Sequence, residues 1–289
     1  MKAIYTTLFV IFLTASAIAQ NTSENFIIPK TNSKAVIQQT IASTQIEVTY
    51  NRPNKRGRKI FGNLVPYDQI WRTGADAATE IYFSTPVILA GNPLDSGRYE
   101  LFTIPGKSTW EVILQKSQHQ WGSYKYNPEN DAVRFSVKSI KRKEIVETFT
   151  ISLDNIGSDR GMLHISWDQV LVPVDIKIDL KHTVIPDLEK ALTGEGRRPY
   201  FQAAMFYYEN NLDINRAAEL MSMALEKNPN HIGMLYRYAL ILKQKGDIPG
   251  AMKASDKSFE QAQTAGEELK AEYTRLNTKL QAELKSMKH

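Results

Sequence analysis

Two hydrophobic periodicities divide this 289-residue chain, and they meet near residue 180. From about Ala35 to Leu180 apolar residues recur at every second position, rich in Val, Ile, Thr and aromatics and broken by Gly, Pro, Asn and Asp. That is the pattern of short antiparallel strands with one buried face each. Ile46, Val48 and Tyr50 alternate with Glu47 and Thr49, and Trp110, Val112 and Leu114 with Glu111 and Ile113. Leu163, Ile165 and Trp167 continue the pattern, and the run from Val170 to Ile178 is the longest, with Pro173 suiting an edge strand or a bulge. With turns expected at Asn92-Pro93 and Ser96-Gly97, about nine strands fit a mainly-β sandwich over 34–180 rather than a βαβ fold.

Beyond Leu180 the spacing becomes helical and the composition shifts to Ala, Leu, Met, Lys and Glu. A linker is expected over 181–197, with one short helix around Leu188 to Leu192, followed by a separate all-α domain over 198–289. In that domain Leu212 to Asn230 resembles the second helix of a tetratricopeptide repeat, with Ala217 and Ala224 at the small positions and Pro229 ending the unit. A shift of 34 residues maps Phe201 to Leu235, Asp213 to Asp247 and Ala217 to Ala251, while Ser258 and Gln263 replace Ala224 and Pro229, so the second unit runs on or turns differently. The segment from Gly266 to Met287 would cap the stack. Such a stack either docks a protein or peptide or, with only two units, packs against the sandwich.

The N-terminus reads as an export signal. Lys2 precedes an apolar run from Leu8 to Leu13, and Ala17 and Ala19 stand in the A-x-A arrangement, which predicts cleavage after Ala19 and a flexible segment over 20–33. The mature protein is then periplasmic or extracellular, with no transmembrane anchor. It has no cysteine, so neither a lipid anchor on cysteine nor disulfides enter, and a chain of this length can bury a core without them. The formal net charge is +5, of which Lys2 in the signal supplies one and residues 20–180 and 181–289 supply +2 each. With export, that small excess argues against nucleic acid as a partner.

The charge that matters is local. Between Val48 and Tyr67 there is no acidic residue, while Arg52, Lys55, Arg56, Arg58 and Lys59 fall close together, a cluster that no sandwich core requires. Gly57 permits a tight bend that brings guanidinium groups together, and Ile60, Phe61, Leu64 and Val65 return to the core. Tyr67, Trp71 and Arg72 then crowd around Gly74. Arginine with aromatics suits stacking and bidentate donation to a carboxylate, sulfate or phosphate. Arg52, Arg58, Tyr67, Trp71 and Arg72 are therefore the candidate ligand-binding residues, for an anionic small molecule, glycan or peptide. If the arginines are instead structural braces, Asp76, Glu80 or Asp131 would be the partners.

The string YNRPNKRGRKIFGNLVPYDQIWRTGADAATEI, followed by GNPLDSGRYELFTIPG, Trp110-Glu111-Val112-Ile113 and Trp121-Gly122, resembles the DUF2911 family of exported bacterial proteins, common in Bacteroidota. The resemblance covers about 34–178 and implies a β domain often joined to tetratricopeptide repeats, with no reaction attached. The family pattern carries Asn where this chain has Asp76.

Catalytic constellations are weak. There is no G-x-S-x-G, P-loop or G-x-G-x-x-G, and without cysteine there is no thiol nucleophile or thiolate-bound zinc. No two of His119, His164, His182, His231 and His289 are spaced as metal ligands, so neither a metal nor a cofactor is expected. Were the protein a hydrolytic enzyme, His119 with Asp76 or Asp131 would move the proton. The alternatives are a binding protein or an envelope scaffold.

Overall fold

The computed structural model describes residues 31–116 and 118–287. The expected signal segment and its cleavage point after Ala19 lie outside the described residues. Among the described residues, ten strands build two antiparallel sheets. The first runs in the order β1 (Ser33–Ile41), β2 (Thr44–Arg52), β3 (Thr79–Phe83), β6 (Gly97–Ile104), β7 (Thr109–Lys116) and β8 (Asp131–Lys138). The second joins β5 (Asn92–Leu94), β4 (Val87–Leu89), β10 (Arg160–Lys177) and β9 (Ile140–Asp154). The alternation places Ile46, Val48 and Tyr50 of β2 and Trp110, Val112 and Leu114 of β7 in one core with Leu163, Ile165 and Trp167 of β10. Burying side chains of this size contributes about 1.5–3 kcal/mol each, which is what holds the sheets face to face.

Three local expectations resolve differently. The turn expected at Asn92-Pro93 falls at Ala90 and Gly91, whose φ values are 46° and 84°, and Pro93 sits in β5, an edge strand that needs no N–H there. Pro173 lies inside β10, which is not an edge strand. It falls where β10 changes partners, after Leu171 pairs with Ile140 and before Ile176 pairs with Leu89. Leu64, expected in the core, is 43% exposed, while Ile60, Phe61 and Val65 around it are buried.

The outer face of the first sheet is partly covered by the connection between β7 and β8. Phe102 of β6 meets the Tyr126 ring edge-on at 5.3 Å, and the buried Glu100 carboxylate accepts from the backbone N–H of Gln120 (2.5 Å) and from its side-chain amide (2.7 Å).

The expected linker is largely helical, with α1 (Leu180–Thr183) and α2 (Ile185–Thr193). Leu192 packs into the second core, and the Glu189 carboxylate receives Arg216 Nη2 (2.6 Å) and Tyr207 Oη (2.8 Å). Then follow α3 (Tyr200–Glu209), α4 (Ile214–Lys227), α5 (Ile232–Lys245), α6 (Ile248–Gln263) and α7 (Glu267–Ser286). Asp213 and Asp247, 34 residues apart, cap α4 and α6 through their side chains. Gly246 closes α5 in the left-handed conformation. Without a proline at the position of Pro229, α6 continues to Gln263. No helix among the described residues is long and apolar enough to cross a membrane.

Candidate functional site

The long connection 53–78 between β2 and β3 holds most of the candidate residues. Connections of this length usually carry function rather than merely join strands. Its first part is strapped to β9: Lys55 N–H donates to the Glu147 carbonyl (2.7 Å), and Asn54 bridges Thr148. Arg56 and Gly57, with φ of 49° and 69°, then make the bend that the glycine allows.

The bend does not gather the basic cluster around one ligand. Arg52 braces the two sheets, with Nε on the Phe149 carbonyl (3.0 Å) and Nη2 on Thr150 Oγ1 (2.8 Å). Lys55 pairs with Asp168 (3.3 Å). Arg58 curls over its own turn, Nε on the Lys55 carbonyl (3.0 Å) and Nη2 on the Asn54 carbonyl (2.5 Å). Tyr67 lies over Gly62, where an added Cβ would meet the ring at 2.6 Å.

Trp71 anchors the second part of the connection. Its backbone exchanges hydrogen bonds with Thr103 (2.8 and 2.9 Å), its indole Nε1 donates to the Gly74 carbonyl (3.1 Å), and its ring stacks on Trp167 at 6.0 Å and 18°. With Phe61, Trp110 and Phe149 set edge-on around it, Trp71 is 8% exposed and mainly a core residue. The next turn is strained. Thr73, fully buried and β-branched, has φ 52°, held by Thr103 Oγ1 (3.0 Å) and by Thr79 Oγ1 on its carbonyl (2.6 Å). A branched residue in that region is costly and persists only where the surroundings enforce it.

Arg72 sits between the Trp71 anchor and this turn. Its guanidinium makes no hydrogen bond or ion pair among the described residues, and its Nε is buried without a partner. The braces weighed for it do not form. Asp76 accepts from Asn32 Nδ2 (3.4 and 3.5 Å), Glu80 meets Arg98 (3.0 Å) and His119 (3.4 Å), and Asp131 meets Arg134 (2.9 Å).

Arg72 and Arg58 line one cleft of about 230 Å³, with Trp71 and Trp167 as aromatic wall, Leu64 and Asn32 at its sides, and no acidic side chain in the lining. Of the five expected ligand-binding residues, Arg58, Trp71 and Arg72 meet there, and Arg52 and Tyr67 do not. Trp167, Leu64 and Asn32 also line the cleft and are not among the expected ligand-binding residues. Trp167 arrives from β10 and reads in sequence as one more core aromatic, so no local signal marks it.

A larger cavity, about 370 Å³, lies on the outer sheet face around Gln38, Glu47, Tyr82 and Arg98. Its arginine is occupied: Arg98 bonds Glu47 (3.3 Å) and Glu80 (3.0 Å) and lies over the Tyr82 ring at 4.7 Å. Hydrogen bonds from Gln38 and then Arg98 hold the Glu47 carboxyl below the ordinary glutamate value. Charge there is already neutralised, so the smaller cleft is the better anion site.

The proton-transfer candidates stand apart. His119 is exposed beside Glu80, Asp76 faces Asn32, and Asp131 receives Tyr126 Oη (2.9 Å), whose phenol burial and then that bond push up to about 12. No group of three His, Asp or Glu among the described residues is arranged to hold a metal ion.

The family DUF2911, described as a protein of unknown function, matches residues 32–176, about half of the chain. No curated protein and no solved structure matches it.

Proposed function

The chain belongs to the DUF2911 family, whose description carries no activity, and we propose from the geometry of its own residues that the β domain is a binding module for a small anionic ligand. One observation carries this reading: Arg72 lines a cleft with a second arginine and no carboxylate, and its buried Nε has no partner among the described residues. A buried polar group left unpaired costs about 1–3 kcal/mol, more when charged, so a guanidinium with an orphaned nitrogen on a cleft wall points to an anionic ligand that offsets its charge. The strain at Thr73 beside it fits the same role, since such outliers gather at ligand sites. The dispersal of Asp76, Asp131 and His119 favours binding over hydrolysis.

In this reading the protein is exported, and the helical part, a tetratricopeptide-type stack, docks a protein partner. A groove of about 360 Å³ over Leu225, Tyr238 and Leu242, with Lys253 on its rim, supports that role.

A thermal-shift screen of wild type and Arg72→Ala at low salt against acetate, phenylacetate, inorganic phosphate and sulfate tests the proposal. An anion at ~100 times its dissociation constant should stabilise the wild type by about 2.7 kcal/mol and the variant far less. Equal shifts in both proteins would show that anions bind elsewhere.

A further inference from the structure

The occupant of the cleft can be narrowed by counting the donors its two arginines have left, an inference that rests on the reading of the cleft as an anion site. A guanidinium carries five N–H donors, and an edge of two nitrogens, Nε with one Nη or the two Nη together, is what grips two oxygens at once. In Arg58 each such edge has a donor committed, Nε to the Lys55 carbonyl and Nη2 to the Asn54 carbonyl, so the cleft receives its charge and its Nη1 end only. Arg72 is the reverse. None of its donors is bound among the described residues, and while Nε is buried, Nη1 and Nη2 are not, so Arg72 brings to the cleft an uncommitted two-donor edge, the Nη1/Nη2 end.

One two-donor edge with one flanking charge matches a planar carboxylate, whose two oxygens take the edge side by side. A phosphate or sulfate brings further charged oxygens, for which the cleft holds no second such edge. Beside Asn32, the cleft offers an apolar side: Trp71 stacked on Trp167, and Leu64 with 43% of its surface exposed to water. A volume of about 230 Å³ equals roughly eight waters at ~30 Å³ each, room for one ring or one branched aliphatic group beside the carboxylate. We propose that the cleft binds a monocarboxylate on Arg72, flanked by Arg58, with a ring or branched apolar group against Trp71, Trp167 and Leu64. That chemistry belongs to a free organic acid and equally to the C-terminal residue of a peptide.

Isothermal titration of the full chain at low salt with phenylacetate, acetate, inorganic sulfate and phosphate tests it. Acetyl-alanyl-phenylalanine and its C-terminal amide distinguish the sources. Phenylacetate should bind about tenfold or more tightly than acetate, from burial of the ring, and more tightly than either inorganic anion. Arg72→Lys keeps the charge, lacks the edge, and should weaken phenylacetate at least about tenfold. Leu64→Glu, at an exposed position that does not threaten folding, should weaken it by repulsion. A free-acid peptide that outbinds phenylacetate while its amide is inert assigns the carboxylate to a chain end, and the opposite order assigns it to a small acid. Sulfate or phosphate binding more tightly than phenylacetate, or full affinity in Arg72→Lys, would overturn the carboxylate assignment while leaving an anion site. Failure of every anion to bind would overturn the anion site itself.

Discussion

Arg52 ends β2 and Arg72 lies in the connection that follows it, and their guanidiniums meet opposite surroundings. Arg52 holds the Phe149 carbonyl and Thr150 across the sandwich, whereas Arg72 holds nothing among the described residues. Arg52→Ala strips those partners and should destabilise the protein by about 1–3 kcal/mol, with anion affinity unchanged. Urea denaturation and titration of the same sample read both quantities, and a loss of affinity without loss of stability would reverse the assignment. Gly74, with φ 157°, leaves no space either: an added Cβ would lie 3.0 Å from Thr79 Oγ1 and 3.2 Å from the Asn51 carbonyl. Gly74→Ala should therefore lower stability by about 1–3 kcal/mol in the same assay, and an unchanged denaturation midpoint would refute the fit described for this turn. None of this was legible in sequence. A run of arginines announces positive charge, but whether a given one braces a carbonyl or faces a cleft depends on β9 and β10, about a hundred positions away.

The elements themselves were more legible, because their signals are periodic and local. Ile46, Val48 and Tyr50 reveal a strand's buried face, and Asp213 and Asp247 reveal two helix starts, by spacing alone. The linker was less legible, since α2 is held by Glu189, whose partners Arg216 and Tyr207 lie on other helices. The Arg216 hydrogen bond, then that of Tyr207, holds the Glu189 carboxyl below the ordinary glutamate value against the opposing effect of burial. A depressed carboxyl stabilises the fold above its unfolded value, ~4.3, and the contribution disappears as pH falls through the folded value. The helical signal of the wild type should therefore lose thermal stability from about pH 5 downward, and Glu189→Gln should lose less over that range, by far-UV circular dichroism. Matching acid profiles would remove Glu189 as a contributor. Between α6 and α7 the fully buried Asn277 joins Ser255 (2.9 Å) and Ser258 (3.0 Å). Asn277→Ala leaves both hydroxyls short of a partner and should cost about 1–3 kcal/mol in chemical denaturation, a loss that would be absent if water replaced the amide.

At the scale of the whole molecule, the braced sandwich carries an arginine, Arg72, with a buried guanidinium nitrogen that no described residue engages. The outer-face arginine, Arg98, is neutralised by two carboxylates, Arg52 is bound to backbone, and Arg58 is half committed to its turn. Arg72 alone among these four lines a cleft with no donor committed to a described residue. This contrast yields a direct stability test in the absence of any ligand: equilibrium urea unfolding of the full chain, wild type against Arg72→Ala, at low salt. A side chain without internal partners should be removable at a cost within about 1 kcal/mol, and relief of the orphaned nitrogen can make the variant slightly more stable. A loss of about 3–5 kcal/mol, the cost of breaking a buried ion pair, would mean that Arg72 braces the fold and that the cleft is not built for an anion.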